Sequence, residues 1–85
     1  MFYTYILKSK VDNDFYLGQT GDVESRLLLH NKGIVQSTRH RKPFDLVHAF
    51  SFEERADAIM FERYLKSKKK RAFIEKLITS HKAGL

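Results

Sequence analysis

The sequence predicts an α+β fold with a three-stranded antiparallel sheet flanked by helices, in the order β-β-α-β-α-α. Three observations predict it. Apolar residues alternate or run together in short segments typical of strands, at 2–8, 15–19 and 44–52. A helix start signal and a glycine stop bracket the segment 23–33. Two further segments place apolar residues at helical spacing, at 52–66 and 70–80.

The first predicted strand covers residues 2–8. Tyr3, Tyr5 and Leu7 fall on one face, and the opposite face carries Phe2, Thr4 and Ile6. Because both faces are largely apolar, we expect this strand to be the central one.

A polar segment, residues 9–14, links the first strand to a second one at 15–19, and this pattern is typical of an antiparallel hairpin. In that strand, Tyr16 and Gly18 share one face, whereas Phe15 and Leu17 point to the other.

The first predicted helix begins at Val23, with Asp22 as its N-cap and Gly33 as its C-terminal stop. Its leucines at 27–29 span a wide arc, so we expect much of its surface to be covered. Residues 32–43 form a basic loop that ends at the only proline.

The third predicted strand, residues 44–52, places Phe44, Leu46 and His48 on one side and the residues 45, 47 and 49 on the other. Ser51 and Glu54 have capping-box spacing, which predicts a helix from about residue 52 to 66. A last helix is predicted over about 70–80.

Length and composition limit the classes of protein to consider. The 85 residues are enough for a single domain, 1–85, and none of its apolar runs is long enough to span a bilayer. The chain has no cysteine and its N-terminus lacks signal-peptide features, so we expect a cytoplasmic protein. A net charge of +6 favours a nucleic-acid partner slightly over a merely solubilising basic surface.

A cluster of reactive side chains is predicted around the first helix. Arg26 and His30 are four residues apart and therefore share a helix face. Tyr16 lies just upstream, and Tyr5 lies on the neighbouring strand. Each of these residues has a simpler interpretation, as a core aromatic, a solvated arginine or a histidine near a helix end.

Glu62 falls between Ala58, Ile59 and Leu65 on the helical wheel, on a largely apolar face. A carboxylate there needs a partner. An ion pair with Lys66, four residues later, and a metal ion are about equally good interpretations.

Together these residues can supply phosphodiester hydrolysis. A phenol or imidazole can deprotonate water, an arginine can neutralise phosphoryl charge, and one carboxylate is enough for Mg²⁺.

The same residues resemble the GIY-YIG endonuclease domain, particularly its small stand-alone bacterial members. The first motif corresponds to Tyr3-Thr4-Tyr5 and the second to Tyr16-Leu17-Gly18, and the resemblance extends from Phe2 to about Ile78. Arg26, His30 and Glu62 match the helical arginine, the following histidine and the metal-binding glutamate of that family. Leucine replaces the isoleucine of the second motif, and Gln19 stands where some repair nucleases carry lysine.

The resemblance implies hydrolysis of DNA by one divalent metal, Mg²⁺ or Mn²⁺, held by Glu62. It implies that Arg26 binds phosphoryl oxygens and that Tyr5, with or without His30, acts as base or orients water. Tyr16 would hydrogen-bond within the site, and Gly18 would allow close backbone approach. Asn31 beside His30 also occurs in relatives, with no role assigned.

Basic clusters predict where DNA phosphates bind. The candidate residues are Arg39, Arg41, Lys42, Lys66, Lys68, Lys69, Lys70 and Arg71. The chain carries no recognisable DNA-reading module, so we expect structure-selective or weakly selective cutting, for example of branched or flapped DNA in repair or recombination, with a protein partner as a source of specificity. The alternatives are a catalytically inactive nucleic-acid-binding module of the same fold and a protein-interaction domain.

Overall fold

The computed structural model describes residues 1–68 and 70–83. Its strands and helices are, in chain order, β1 (Phe2–Ser9), β2 (Phe15–Thr20), α1 (Val23–Asn31), β3 (Phe44–Phe52), α2 (Arg55–Lys68) and α3 (Arg71–Ala83), with a short 3₁₀ turn over Arg39–Arg41 before β3. The α+β class and the order β-β-α-β-α-α are thereby confirmed.

The three strands form one antiparallel sheet in the order β2-β1-β3, so β1 is central as predicted. Tyr5 in β1 lies opposite Gly18 of β2 and Ala49 of β3. The predicted hairpin between β1 and β2 is therefore confirmed, and its register brings the two motif strands directly against each other.

Helices cover both faces of the sheet because β1 is apolar on both sides. On one face Tyr5, Leu7 and Phe44 form a buried cluster that packs against Leu27 of α1. On the opposite face Ile6 packs with buried side chains of α2 and α3, namely Leu65, Ile74 and Ile78. Tyr16 belongs to the first face and Phe15 and Leu17 to the second, which confirms the alternation predicted for the hairpin.

The predicted face assignment of β3 was wrong beyond its first residues. Val47 packs in the cluster around Ile6, whereas Ala49, two residues later, packs in the cluster around Tyr5. The cause is a register shift between Ile6 and Leu7, which pair with His48 and Leu46 respectively. The extra residue of such a bulge interrupts the two-residue alternation of a strand.

Both ends of α1 form as the sequence predicted. The Asp22 carboxylate accepts a hydrogen bond from the Ser25 amide at 3.1 Å. At the other end Gly33 has φ +77°, and amides 33 and 34 bond the carbonyls of His30 and Leu29, a Schellman arrangement. Much of the helix surface is at least half-buried, as expected, although Leu28 is 53% exposed.

The capping box at Ser51 was also a wrong prediction. Ser51 lies within β3, opposite Tyr3, and the first amides of α2 bond instead to the Glu54 carbonyl. Pairing with β1 extends the strand to Phe52 and delays the helix to Arg55. In the described residues, no helix is long and apolar enough to cross a membrane.

Candidate active site

The Tyr5 ring lies directly over the backbone of Gly18. Tyr5 is 2% exposed and faces Gly18 across the β1–β2 ladder. A Cβ atom added to Gly18 would lie 2.9 Å from Tyr5 Cε2, and closer still to Cζ and the hydroxyl oxygen. Any other residue at position 18 would displace the Tyr5 ring. Glycine therefore allows the close backbone approach that was expected from the sequence.

His30 lies in the last turn of α1 and is completely buried. Its Nε2 atom is 3.1 Å from the Tyr5 hydroxyl oxygen, and its Nδ1 atom is 2.7 Å from the Thr38 hydroxyl oxygen. The Tyr16 ring packs edge-on against the imidazole, with centroids 5.1 Å apart. Both imidazole nitrogens are therefore hydrogen-bonded, Nε2 to the Tyr5 hydroxyl and Nδ1 to the Thr38 hydroxyl.

Charge around the pair comes from Arg26 and Glu62. Burial raises the pKa of Tyr5, while the Arg26 guanidinium acts to lower it and the charges of Tyr16 and Glu62 add to the increase. Burial also lowers the pKa of His30, and the positive charge of Arg26 lowers it further. A neutral tyrosine thus faces a neutral histidine that is able to accept its proton.

Glu62 makes the ion pair that was one of its two interpretations. Its Oε2 atom lies 2.6 Å from Lys66 Nζ, one helical turn later. The Glu62 side chain is 19% exposed and that of Lys66 is 54% exposed. The Glu62 side chain is thus mostly enclosed, whereas about half of its lysine partner is in solvent.

The oxygen donors around Glu62 determine whether a divalent metal ion fits there. Within residues 1–68 and 70–83, no three histidine, aspartate or glutamate side chains come together as a ready-made cage. Mg²⁺ does not need one, because it commonly binds through one or two carboxylates with water and substrate phosphate completing its shell. Glu62 therefore fits Mg²⁺ or Mn²⁺, and its charge acts to raise the pKa of Tyr5.

The predicted phosphate-binding residues differ in their surroundings. Arg39 and Lys42 are exposed, but Arg41 donates to both carboxylate oxygens of Asp12, at 2.7 and 3.3 Å. Lys66, Lys70 and Arg71 line a groove of about 340 Å³ between β2 and the last two helices. The Lys68 ammonium lies near the rings of Tyr64 and Phe73. Lys69 lies outside the described residues.

Two side chains acquire contacts that the sequence did not indicate. Thr38, in the basic loop, is 1% exposed and bonds His30. Asn31 uses its amide group to pair with the backbone of Phe44, accepting from the nitrogen at 2.7 Å and donating to the oxygen at 3.1 Å. It therefore joins the end of α1 to the start of β3. No spacing signal marks either contact, because both partners are distant in sequence.

Known proteins are similar to this chain in sequence. Residues 1–77 match the model of the GIY-YIG catalytic domain. A UPF0213 protein of Bacillus velezensis is 41% identical over 76 residues, covering 85% of this chain and 77% of its own. The UPF0213 protein YazA of Bacillus subtilis is 37% identical, with 93% and 83% coverage.

A solved structure agrees with the sequence relatives. The solution NMR structure of a UPF0213 protein from Bacillus halodurans is 36% identical, with a TM-score of 0.59, and the match covers 93% of this chain and 84% of that one. The resemblance stated from the two tyrosine motifs is thereby confirmed. This chain belongs to the GIY-YIG catalytic domain family, a family of nucleases.

Proposed function

We propose that this protein is a divalent-metal-dependent endonuclease that hydrolyses DNA phosphodiester bonds, with structure-selective or weak selectivity, in repair or recombination. Membership of the family and the charge of +6 support a nucleic-acid substrate. The observation that carries the catalytic part is the buried 3.1 Å hydrogen bond between Tyr5 and His30, next to Arg26 and Glu62. A module that only bound DNA would have no use for this pair.

Tyr5 and His30 together provide a general base. A water molecule that attacks phosphorus gives its proton to Tyr5 Oη as the tyrosine proton passes to His30 Nε2. One O–H bond breaks and one forms at Tyr5, and the transferred charge ends on the imidazole. General-base catalysis of this kind contributes about 10²- to 10⁴-fold in rate. The neutral state of buried His30 is what makes Nε2 available as the acceptor.

Arg26 and Tyr16 would support the reaction at Tyr5 in different ways. The Arg26 guanidinium acts to lower the pKa of Tyr5 and so would favour transfer of the Tyr5 proton to His30. Its donors can also bind phosphoryl oxygens, for which a planar guanidinium is well suited. Tyr16 packs against both Tyr5 and His30, with ring centroids 6.4 and 5.1 Å away, and so restricts their rotation.

Glu62 would hold the metal ion, Mg²⁺ or Mn²⁺. A bound divalent ion supplies electrostatic stabilisation of the phosphate and of the departing oxygen. Glu62 itself must exchange the Lys66 ammonium for that ion, and the exposure of Lys66 allows its side chain to turn into solvent or toward a DNA phosphate.

The basic residues around the site would bind DNA without reading its sequence. Lysine and arginine contacts to phosphates provide affinity and orientation, whereas sequence is read through base edges. Selectivity would then come from the shape of a branched or flapped substrate, or from a protein partner in the cytoplasm.

The experiment is a cleavage assay on nicked, flapped, branched and plain duplex DNA with wild type and Glu62→Ala. Each reaction contains Mg²⁺, Mn²⁺ or EDTA, and folding and DNA binding of both proteins are checked in parallel. We expect cleavage by the wild type alone, abolished by EDTA. If both proteins bind DNA and neither cuts any substrate, the inactive binding module is the better account. If cutting survives Glu62→Ala, the metal assignment is wrong.

A further inference from the structure

Thr38 is a buried hydroxyl residue whose side chain bonds the catalytic histidine. It lies in the loop between α1 and β3, immediately before the 3₁₀ turn, and its oxygen is 2.7 Å from His30 Nδ1. We propose that Thr38 is a positioning residue that holds neutral His30 in the tautomer protonated at Nδ1, so that Nε2 remains the acceptor for the Tyr5 hydroxyl.

The hydrogen-bond partners of Thr38 favour this tautomer. Its hydroxyl also lies 3.4 Å from the Val35 carbonyl oxygen, which can only accept. A hydroxyl has a single proton, and donating it to Val35 leaves the Thr38 oxygen as an acceptor toward His30. The proton between Thr38 and the imidazole then belongs to Nδ1.

The opposite end of the chain of hydrogen bonds gives the same answer. The buried Tyr5 hydroxyl has a single proton, and its partner is His30 Nε2, 3.1 Å away. If Nε2 carried the imidazole proton, it would donate to the Tyr5 oxygen, and the Tyr5 proton would have no acceptor within residues 1–68 and 70–83. With the proton on Nδ1, each group donates to the next in one direction, from Tyr5 through His30 and Thr38 to Val35.

The loop backbone fixes Thr38 for this role. Its amide donates to the Val35 carbonyl at 3.1 Å, and its own carbonyl accepts from the Arg41 amide at 2.9 Å. Arg41 is in turn held to Asp12 by two hydrogen bonds and to Ser9 through its carbonyl oxygen. The hydroxyl is therefore set by the loop and cannot follow the imidazole if its ring rotates.

The tautomer depends on the fold alone, whereas its importance for catalysis rests on the proposed function. The test therefore begins with NMR of ¹⁵N-labelled protein, in which long-range ¹H–¹⁵N correlations identify the protonated ring nitrogen of His30. We expect Nδ1–H in the wild type at a pH where the ring is neutral. Thr38→Val keeps the shape of the side chain but cannot accept, so its His30 should lose this preference, and Thr38→Ser should retain it.

A cleavage assay on the same proteins gives the second measurement. Thr38→Val should cut DNA at least about tenfold more slowly with unchanged DNA affinity, and Thr38→Ser should recover most of the rate. A wild-type His30 protonated at Nε2 would overturn the proposal even if Thr38→Val does not fold. An unchanged Nδ1–H tautomer in folded Thr38→Val would overturn it as well. Absence of cleavage by the wild type would contradict the proposed function only, and the tautomer result would stand.

Discussion

The Lys66 ammonium lies 2.6 Å from the Glu62 carboxylate, the group that we propose holds a metal ion. A lysine one helical turn after a glutamate is a common and weak ion pair. Because Lys66 is 54% exposed, it can be displaced easily. On the proposed function, the ion pair and a bound metal ion would be two alternative states of one carboxylate, and they would compete.

Removing this competitor should strengthen metal binding. An exposed pair at this spacing is worth about 0.3–0.5 kcal/mol, so Lys66→Met should bind Mn²⁺ about twofold more tightly than the wild type. Calorimetric titration of Mn²⁺ into the protein without DNA measures this directly. Lys68→Met removes a neighbouring charge that is not paired with Glu62, and it serves as the control. Equal affinities for the two variants would show that Lys66 does not compete for the carboxylate.

Gly18→Ala should damage both the fold and the site. The new methyl group would overlap the Tyr5 ring and force it or β2 to move, at a cost of about 1–3 kcal/mol in the free energy of unfolding. Gly21→Ala is a matched control, since a Cβ there meets no atom within 4 Å. Urea unfolding of the two variants, followed by cleavage assays, measures the difference. A Gly18→Ala protein as stable and active as Gly21→Ala would mean that the ring does not need this space.

Arg39 and Arg41 should contribute differently to DNA binding. Exposed Arg39 is free to meet a phosphate, so Arg39→Ala should lower the slope of log affinity against log salt by about one. Arg41 is committed to Asp12, whose carboxyl pKa it holds at about 2, and it also donates to the Phe15 carbonyl at 3.4 Å. Arg41→Ala should therefore change the salt slope less and lower the melting temperature more.

Fluorescence anisotropy at several salt concentrations and thermal unfolding measure these two effects. Asp12→Asn is the useful control, because it removes the negative charge that holds Arg41. In the Asp12→Asn background, Arg41→Ala should lower the salt slope by nearly as much as Arg39→Ala does. Equal slopes and equal melting temperatures for Arg39→Ala and Arg41→Ala would contradict the structural role of Arg41.

Stability should depend on pH through His30. Burial lowers its pKa below the ordinary value of 6.5. At a pH between the lowered and the ordinary value, the unfolded chain therefore binds a proton at His30 and the folded protein does not. The stabilising contribution is complete above that ordinary value and is lost as the pH falls toward the lowered pKa. The stability advantage of the wild type over His30→Gln should accordingly shrink between about pH 8 and about pH 5. Urea unfolding at each pH checks this, with exposed His40→Gln as the control, and a constant difference would refute it.

Local signals predicted the parts of the fold that depend on local chemistry. Asp22 and Gly33 delimit α1 because a cap and a left-handed glycine act within one turn. The faces of β3 could not be predicted, since the bulge is created by pairing with β1. Ser51 failed as a cap for the same reason, because strand pairing extends through it.

Some residues of the candidate site were likewise predictable from local patterns, and others were not. Tyr5, Tyr16 and His30 were predicted from motif spacing, and the sheet register and α1 bring them together. Thr38 was missed because it reaches His30 only through the path of the loop. The ion pair of Glu62 was an open alternative, since helical spacing is equally compatible with a lysine partner and with a metal ion.

The most direct test of the central claim is the single-turnover cleavage rate of Tyr5→Phe with saturating Mg²⁺. This change removes only the hydroxyl that bonds His30, and Tyr64→Phe, an exposed tyrosine of α2, is the matched control. We predict that Tyr5→Phe binds DNA as the wild type does and cuts it about 10²-fold or more slowly, while Tyr64→Phe cuts normally. Cleavage by Tyr5→Phe at the wild-type rate would contradict a catalytic centre built on the Tyr5 hydroxyl.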